Sequence, residues 1–273
     1  MTGRPFSHLR RPQWVPMKRI SRISRRATSP LCAAVVLLVP ALTSASLANA
    51  DDGPGPLGVT AVAADTAQAR KVGALFDADR RSSLAGGHFC TASVVYSPHR
   101  NLIVTAAHCL NGSKDGDLIF APGYRDGRAP YGVWKVRRAF LPDGWAKGQH
   151  EDSDVAFAVV ANKGGKGVED AVGGNPFVTG MATGATAVTV TGYPSTREAP
   201  VSCTNRPTVH SRTQQRIDCP GLSGGTSGSP WVNGDKAVVG ILGGHEKGGS
   251  TDDISYSVVF GAEAAELYRD ATG

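Results

Sequence analysis

From residue 72 onward the apolar positions fall in short runs of five to nine residues, at 89–97, 102–107, 155–161, 187–191, 237–242 and 255–260. Runs of this length, rich in Val, Ile and Thr and bounded by Gly and Pro clusters, predict β-strands rather than helices. In Val188-Thr189-Val190-Thr191 apolar and polar residues alternate, the period of a half-buried strand. Trp231-Val232, Asn233-Gly234-Asp235 and the apolar run after Lys236 predict a hairpin whose Asn-Gly pair takes positive φ. Turn clusters at 122–128, 164–167 and 173–176 separate the runs. Only 262–270 carries a helical pattern. The fold class is therefore all-β, barrel or sandwich, with a short C-terminal helix.

The first 71 residues differ. A cationic stretch at 18–26, an apolar run at 31–42 and Ala48-Asn49-Ala50 have the order of a secretory signal peptide, with Met17 as a second candidate start. The apolar run is shorter than the roughly 20 residues that span a bilayer, and Pro40 interrupts it. Residues 1–50 thus read as a removable signal, and the exported protein as free of the membrane. Residues 51–71, rich in Ala, Gly, Pro and Asp, read as a pro-segment or flexible arm, with Arg70-Lys71 as a processing site.

This division changes the meaning of the charge. The formal +6 suggests a polyanion partner, but residues 1–50 hold eight of the 29 basic residues and no acid. The remainder carries 21 basic against 23 acidic residues, with no basic stripe, which argues against nucleic acid. Of the five cysteines, Cys32 lies in the signal. Cys90, Cys109, Cys203 and Cys219 form an even set in an exported chain and read as two disulfides, with three pairings open. No C-x-x-C pair or histidine cluster suggests a metal site, and no cofactor motif is present.

Three segments carry chemistry. In Gly225-Thr226-Ser227-Gly228-Ser229-Pro230, glycines flank a serine and permit a tight turn that exposes its hydroxyl and converges backbone N–H groups. Thr105-Ala106-Ala107-His108-Cys109 ends a strand-like run with an imidazole beside a cysteine that a disulfide can pin. Asp154 opens Asp154-Val155-Ala156-Phe157-Ala158-Val159-Val160, where an unpaired carboxylate is costly and pairing with an imidazole fixes its tautomer. Asp152 is the nearest competitor, and Asp154 is preferred because it abuts the apolar run. Asn111-Gly112-Ser113 and Asp115-Gly116-Asp117 match glycosylation and calcium patterns too short to assign.

The order His–Asp–Ser, with T-A-A-H-C, D-V-A-F and G-T-S-G-S-P, resembles the trypsin/chymotrypsin family of serine proteases over residues 72–270, in particular the bacterial secreted branch that includes glutamyl endopeptidases and actinobacterial trypsin-like proteases. The resemblance implies two six-stranded antiparallel β-barrels, one over 72–168 and one over 169–273 with the terminal helix. It implies a secreted, monomeric endopeptidase acting on protein or peptide substrates. His108 would be the general base, Asp154 its orienter and Ser227 the nucleophile, with the N–H groups of Gly225 and Ser227 as the oxyanion hole. It also implies Cys90–Cys109 and Cys203–Cys219 bridges. Two departures stand out. Thr226 occupies the place of the aspartate that animal enzymes use in activation. Gly221 occupies the place of the aspartate that reads Lys or Arg, so that preference would fall to Asp252 or Asp253. Gly221, Gly243, Gly244 and His245 are the candidate substrate pocket, with His245 a donor to a substrate carboxylate. A non-catalytic binding homologue and an esterase with the same triad are the competing readings.

Overall fold

The computed structural model describes residues 57–273. The signal segment, Cys32 and residues 51–56 lie outside the described residues. Fourteen strands, β1 (Thr60–Val62), β2 (Val72–Asp77), β3 (His88–Val95), β4 (Leu102–Thr105), β5 (Leu118–Pro122), β6 (Trp134–Phe140), β7 (Ala156–Val160), β8 (Val188–Gly192), β9 (Val201–Asn205), β10 (Thr208–Val209), β11 (Gln214–Asp218), β12 (Pro230–Asn233), β13 (Val238–Ile241) and β14 (Ile254–Val258), make up the described fold. The helices are short: α1 (Ala107–Leu110), α2 (Asp143–Gly148), α3 (Val168–Val172) and the terminal α4 (Ala262–Thr272).

Strands β2-β3-β4-β7-β6-β5 close into an antiparallel barrel. Strands β3, β4 and β7 are buried on both faces, while β6 exposes Lys135, Arg137 and Arg138: every residue of β4 is inaccessible, and β3 and β7 carry Ala92, Val94, Ala156 and Phe157 at zero exposure. Such runs favour β structure because branched side chains pack well on a pleated surface. The same core continues into the second half through Val232, Val238, Ile241, Val258 and Phe260. Helix α4 seals one end, where Tyr268 packs on Phe157 and Phe177 and its hydroxyl donates to the Tyr96 carbonyl.

The second half is all-β as expected, without an explicitly closed ladder among the described residues. It is a five-stranded sheet, β1-β9-β8-β12-β13, and a three-stranded sheet, β10-β11-β14, with no continuous ladder closing them. Beyond β13 the chain leaves the sheet direction. Gly243 N–H still donates to the Tyr256 carbonyl of β14, but the next N–H, that of Gly244, turns to Asp154. The detour that serves the site interrupts the ladder.

Within the segment expected as a pro-segment or flexible arm, residues 57–71 include a paired strand. Strand β1 pairs with β9 in the register Thr60↔Cys203, Ala61↔Ser202, Val62↔Val201. Ala63 N–H donates to the Pro200 carbonyl, and the Ala63 carbonyl accepts from Arg125 of the barrel at 2.6 Å. The segment therefore ties the second half to the first before entering β2. The β12–β13 hairpin forms, but positive φ falls on Lys236 instead of the Asn-Gly pair. Asn233 Oδ1 accepts the N–H groups of Asp235 and Ala237, both at 3.0 Å, so the asparagine side chain closes the turn.

Candidate active site

Strand β4 ends at Thr105, and α1 carries His108 and Cys109 directly onto the seam between the halves. A disulfide joins Cys109 to Cys90 on β3, and a second joins Cys203 to Cys219. The first pins the turn that bears the imidazole. The His108 ring lies near Cys90 and Cys109, but both sulfurs are committed to the disulfide and offer no thiolate to a metal.

Asp154 is fully buried and accepts three N–H groups. Oδ1 takes the His108 backbone N–H at 2.9 Å, while Oδ2 takes His108 Nδ1 at 2.7 Å and Gly244 N–H at 2.8 Å. A carboxylate only accepts, so Nδ1 carries the proton and Nε2 is left as the basic nitrogen. Asp152 is turned elsewhere by the 3₁₀ turn Glu151–Ser153: its Oδ1 accepts from Thr213 Oγ1 and Gln214 Nε2, both at 2.9 Å. The side chain of His108 is 14% exposed.

The serine loop reaches the same place from the second half. Thr91 N–H donates to the Ser227 carbonyl at 2.7 Å. Gly228 has φ +83°, and a Cβ there would collide with Thr105 Oγ1 and the Thr91 carbonyl, so only glycine lets the loop lie against the end of β4, three residues before His108. Ser227 Oγ and His108 Nε2 are not hydrogen-bonded to one another here; such contacts commonly tighten only when substrate binds.

Backbone polarity in this loop can be followed peptide by peptide. The Gly224 carbonyl accepts Ser195 N–H at 2.7 Å, and the Gly225 carbonyl accepts the Thr91 hydroxyl at 3.0 Å. The Thr226 carbonyl accepts the Ser229 N–H at 3.0 Å and its hydroxyl at 2.6 Å. Thr226 N–H donates to Ser223 and Gly228 N–H to Leu242. The N–H groups of Ser223, Gly224, Gly225 and Ser227 have no acceptor among the described residues, and those of Gly225 and Ser227 lie nearest the serine hydroxyl in sequence. Gly225 is buried and Ser227 half-buried, and unaccepted N–H groups at and beside a serine are the kind of donors that can meet an anion.

The four expected pocket residues do not converge equally. Gly221 is exposed, with open space where a side chain would project. Gly244 N–H donates to Asp154 Oδ2, and Gly243 lies where a Cβ would crowd that same oxygen. His245 faces Glu151, Nδ1 to Oε2 at 3.2 Å, and stacks on His210 at 4.8 Å between ring centroids, with Tyr256 edge-on to both. Its Nδ1 is thus already engaged by an acid of this chain. Gly244 N–H and Thr91 are contributors that residue type alone did not signal.

Residues 90–241, more than half of the chain, match the trypsin-like peptidase domain. The chain belongs to the trypsin-like peptidase family. Among curated relatives of the family, a glutamyl endopeptidase of Bacillus licheniformis is 30% identical over 135 residues, which cover 47% of this chain and 41% of that protein, less than half its length. Among solved structures, the protease Anisep from Arthrobacter nicotinovorans is 28% identical with a TM-score of 0.63, over 74% of this chain and 95% of that one. The thermostable serine protease AL20 from an extremophilic microorganism is 28% identical with a TM-score of 0.64, over 76% and 99%. A Glu endopeptidase, at 20% identity and a TM-score of 0.63 over 80% and 98%, shares the fold.

Proposed function

We propose that this chain is a secreted serine endopeptidase that cleaves protein or peptide substrates through an acyl-enzyme on Ser227. The observation that carries the reading is the pair of unaccepted N–H groups at Gly225 and Ser227, on the loop that packs against the His108 turn.

His108 Nε2 takes the Ser227 hydroxyl proton as Oγ attacks the scissile carbonyl carbon. The carbonyl π pair moves to oxygen, and the resulting oxyanion is met by the Gly225 and Ser227 N–H groups. Asp154, holding Nδ1–H, stabilises the imidazolium. The imidazolium then gives its proton to the leaving amine, the C–N bond breaks and the acyl-enzyme remains. Water, deprotonated by Nε2, attacks the ester carbonyl; collapse returns the proton to Oγ and releases the acid. Donors placed where charge develops are usually the largest catalytic contribution, each worth about 10²–10³-fold.

The two disulfides and the signal-like leader support export, and 1–50 is proposed as the segment removed. The test combines a serine-directed phosphonate with casein and short-ester assays. The parent should lose casein activity in proportion to phosphonate bound, and Ser227→Ala should bind none and be inactive. Ester turnover without casein cleavage would assign an esterase. Full casein activity in Ser227→Ala would overturn the reading.

A further inference from the structure

The loop that bears the two N–H donors contains glycine at 224, 225 and 228, so its own sterics do little to hold one conformation. Gly225 sits at φ +96°, in a region glycine enters and leaves freely. Something outside the loop must fix its peptides.

That something lies on the other half of the molecule. Thr91, on β3 and wholly buried, uses every polar group it has on the seam. Its N–H donates to the Ser227 carbonyl at 2.7 Å and its carbonyl accepts Thr105 Oγ1 at 2.7 Å. Its hydroxyl donates to the Gly225 carbonyl at 3.0 Å and accepts Tyr193 N–H at 2.9 Å. Two residues beyond Tyr193, Ser195 N–H holds the Gly224 carbonyl. The carbonyl and N–H of a trans peptide point to opposite sides. Holding the carbonyl of Gly224 therefore aims the N–H of Gly225 away from Ser195, and holding that of Gly225 fixes the peptide between the two donors.

We propose that Thr91 is a positioning residue for the oxyanion hole. Its hydroxyl fixes the peptide between the Gly225 and Ser227 N–H groups through the Gly225 carbonyl, and bears on the Gly225 N–H itself through the 193–195 loop that holds the Gly224 carbonyl. The residue touches no substrate and acts only through these donors. The proposal rests on the reading of Ser227 as nucleophile.

The hydroxyl is separable from the rest of the residue. Thr91→Val keeps shape and backbone bonds and removes Oγ1; Thr91→Ser keeps the hydroxyl and removes the methyl. Misplacing a donor by about an ångström can reduce turnover about 10²-fold. Thr91→Val should lower kcat on a casein-derived peptide by about ten- to a hundred-fold, leave KM within about two-fold, and leave the pH profile unmoved because His108 and Asp154 are untouched. A peptide aldehyde, whose serine adduct carries the oxyanion, should bind more weakly by the same factor. Thr91→Ser should recover most of both. If the valine protein is not secreted, Thr91→Ala, where a water can reach the two freed groups, is read by the same measurements. A kcat within two-fold of the parent, aldehyde affinity that does not follow kcat, or failure of serine to rescue would overturn the proposal. If Ser227→Ala is inactive while Thr91→Val equals the parent, Thr91 alone is misassigned; if Ser227→Ala is fully active, the underlying reading fails first.

Discussion

Asp154→Asn tests the site at its most constrained atom pair. The carboxylate accepts three N–H groups, and an amide has one oxygen with which to meet them. With the amide oxygen at the Oδ2 position, His108 Nδ1–H and Gly244 N–H keep their acceptor, while the NH₂ faces the His108 backbone N–H. In the other orientation Gly244 N–H faces the NH₂, and Nδ1 must accept, which moves the ring proton to Nε2 and removes the base. Either way one buried N–H loses its acceptor, a loss of about 1–3 kcal/mol of stability. In a domain of this size that is about 2–4 °C in Tm per kcal/mol. The catalytic loss is larger, because the negative charge under the imidazolium is gone in both orientations. A fall in kcat of about 10⁴-fold is expected, or about 5.4 kcal/mol at 1.36 kcal/mol per factor of ten. The assay is kcat and KM on a peptide substrate, with folded protein counted by circular dichroism and Asp152→Asn as the control. Asp152 accepts only from Thr213 and Gln214 and should tolerate the amide with small loss. A kcat within ten-fold of the parent for Asp154→Asn, or an equal loss in Asp152→Asn, would refute the assignment.

The ordered strap at 57–71 predicts that the secreted protein begins between residues 51 and 57; terminal sequencing that found Val72 first would mean β1 is dispensable. His245→Ala should leave a peptide-library cleavage profile unchanged, since Nδ1 already faces Glu151; loss of an acidic preference in the variant would restore His245 to substrate recognition. The phenols of Tyr124 and Tyr193 are pushed well above the ordinary tyrosine range, in each case first by burial and for Tyr124 also by its hydrogen bond to Glu198. Groups with raised pKa contribute stability that is complete below the unfolded value of about 10 and declines as pH rises past it. Alkaline titration by phenolate absorbance should therefore show these two ionising only as the protein unfolds, and a single reversible step for all six tyrosines would contradict the packing.

Much of the fold was legible because strands and helix advertise themselves locally. Short branched runs such as Leu-Ile-Val-Thr in β4 have no other stable place than a buried ladder, and 262–270 differs from α4 by two residues at its end. The candidate site residues stood out for a related reason: a carboxylate before an apolar strand, an imidazole beside a cysteine and a serine between glycines each carry chemistry that a bland loop does not need. The pairing of β1 with β9 was not legible, since a Gly- and Ala-rich segment has low intrinsic preference and gains its strand from a partner some 140 residues away.

What the sequence withholds is the direction of side chains whose partners are remote backbone atoms. Thr91 and Gly225 are 134 positions apart, and Gly244 and Asp154 90. A backbone N–H or carbonyl is the same on every residue, so a bond to one leaves no mark of residue type for a reader of sequence to match. His245 shows the opposite failure: an ionisable ring near the serine invites a substrate role, yet the acid that engages it arrives from the far side of the seam. The hydroxyl of Thr91 is ordinary on a β-strand, where threonine is favoured for its branching alone. Only the converging geometry separates that structural use from a catalytic one, and only the valine-for-threonine exchange, which preserves the branching, can separate them in the protein.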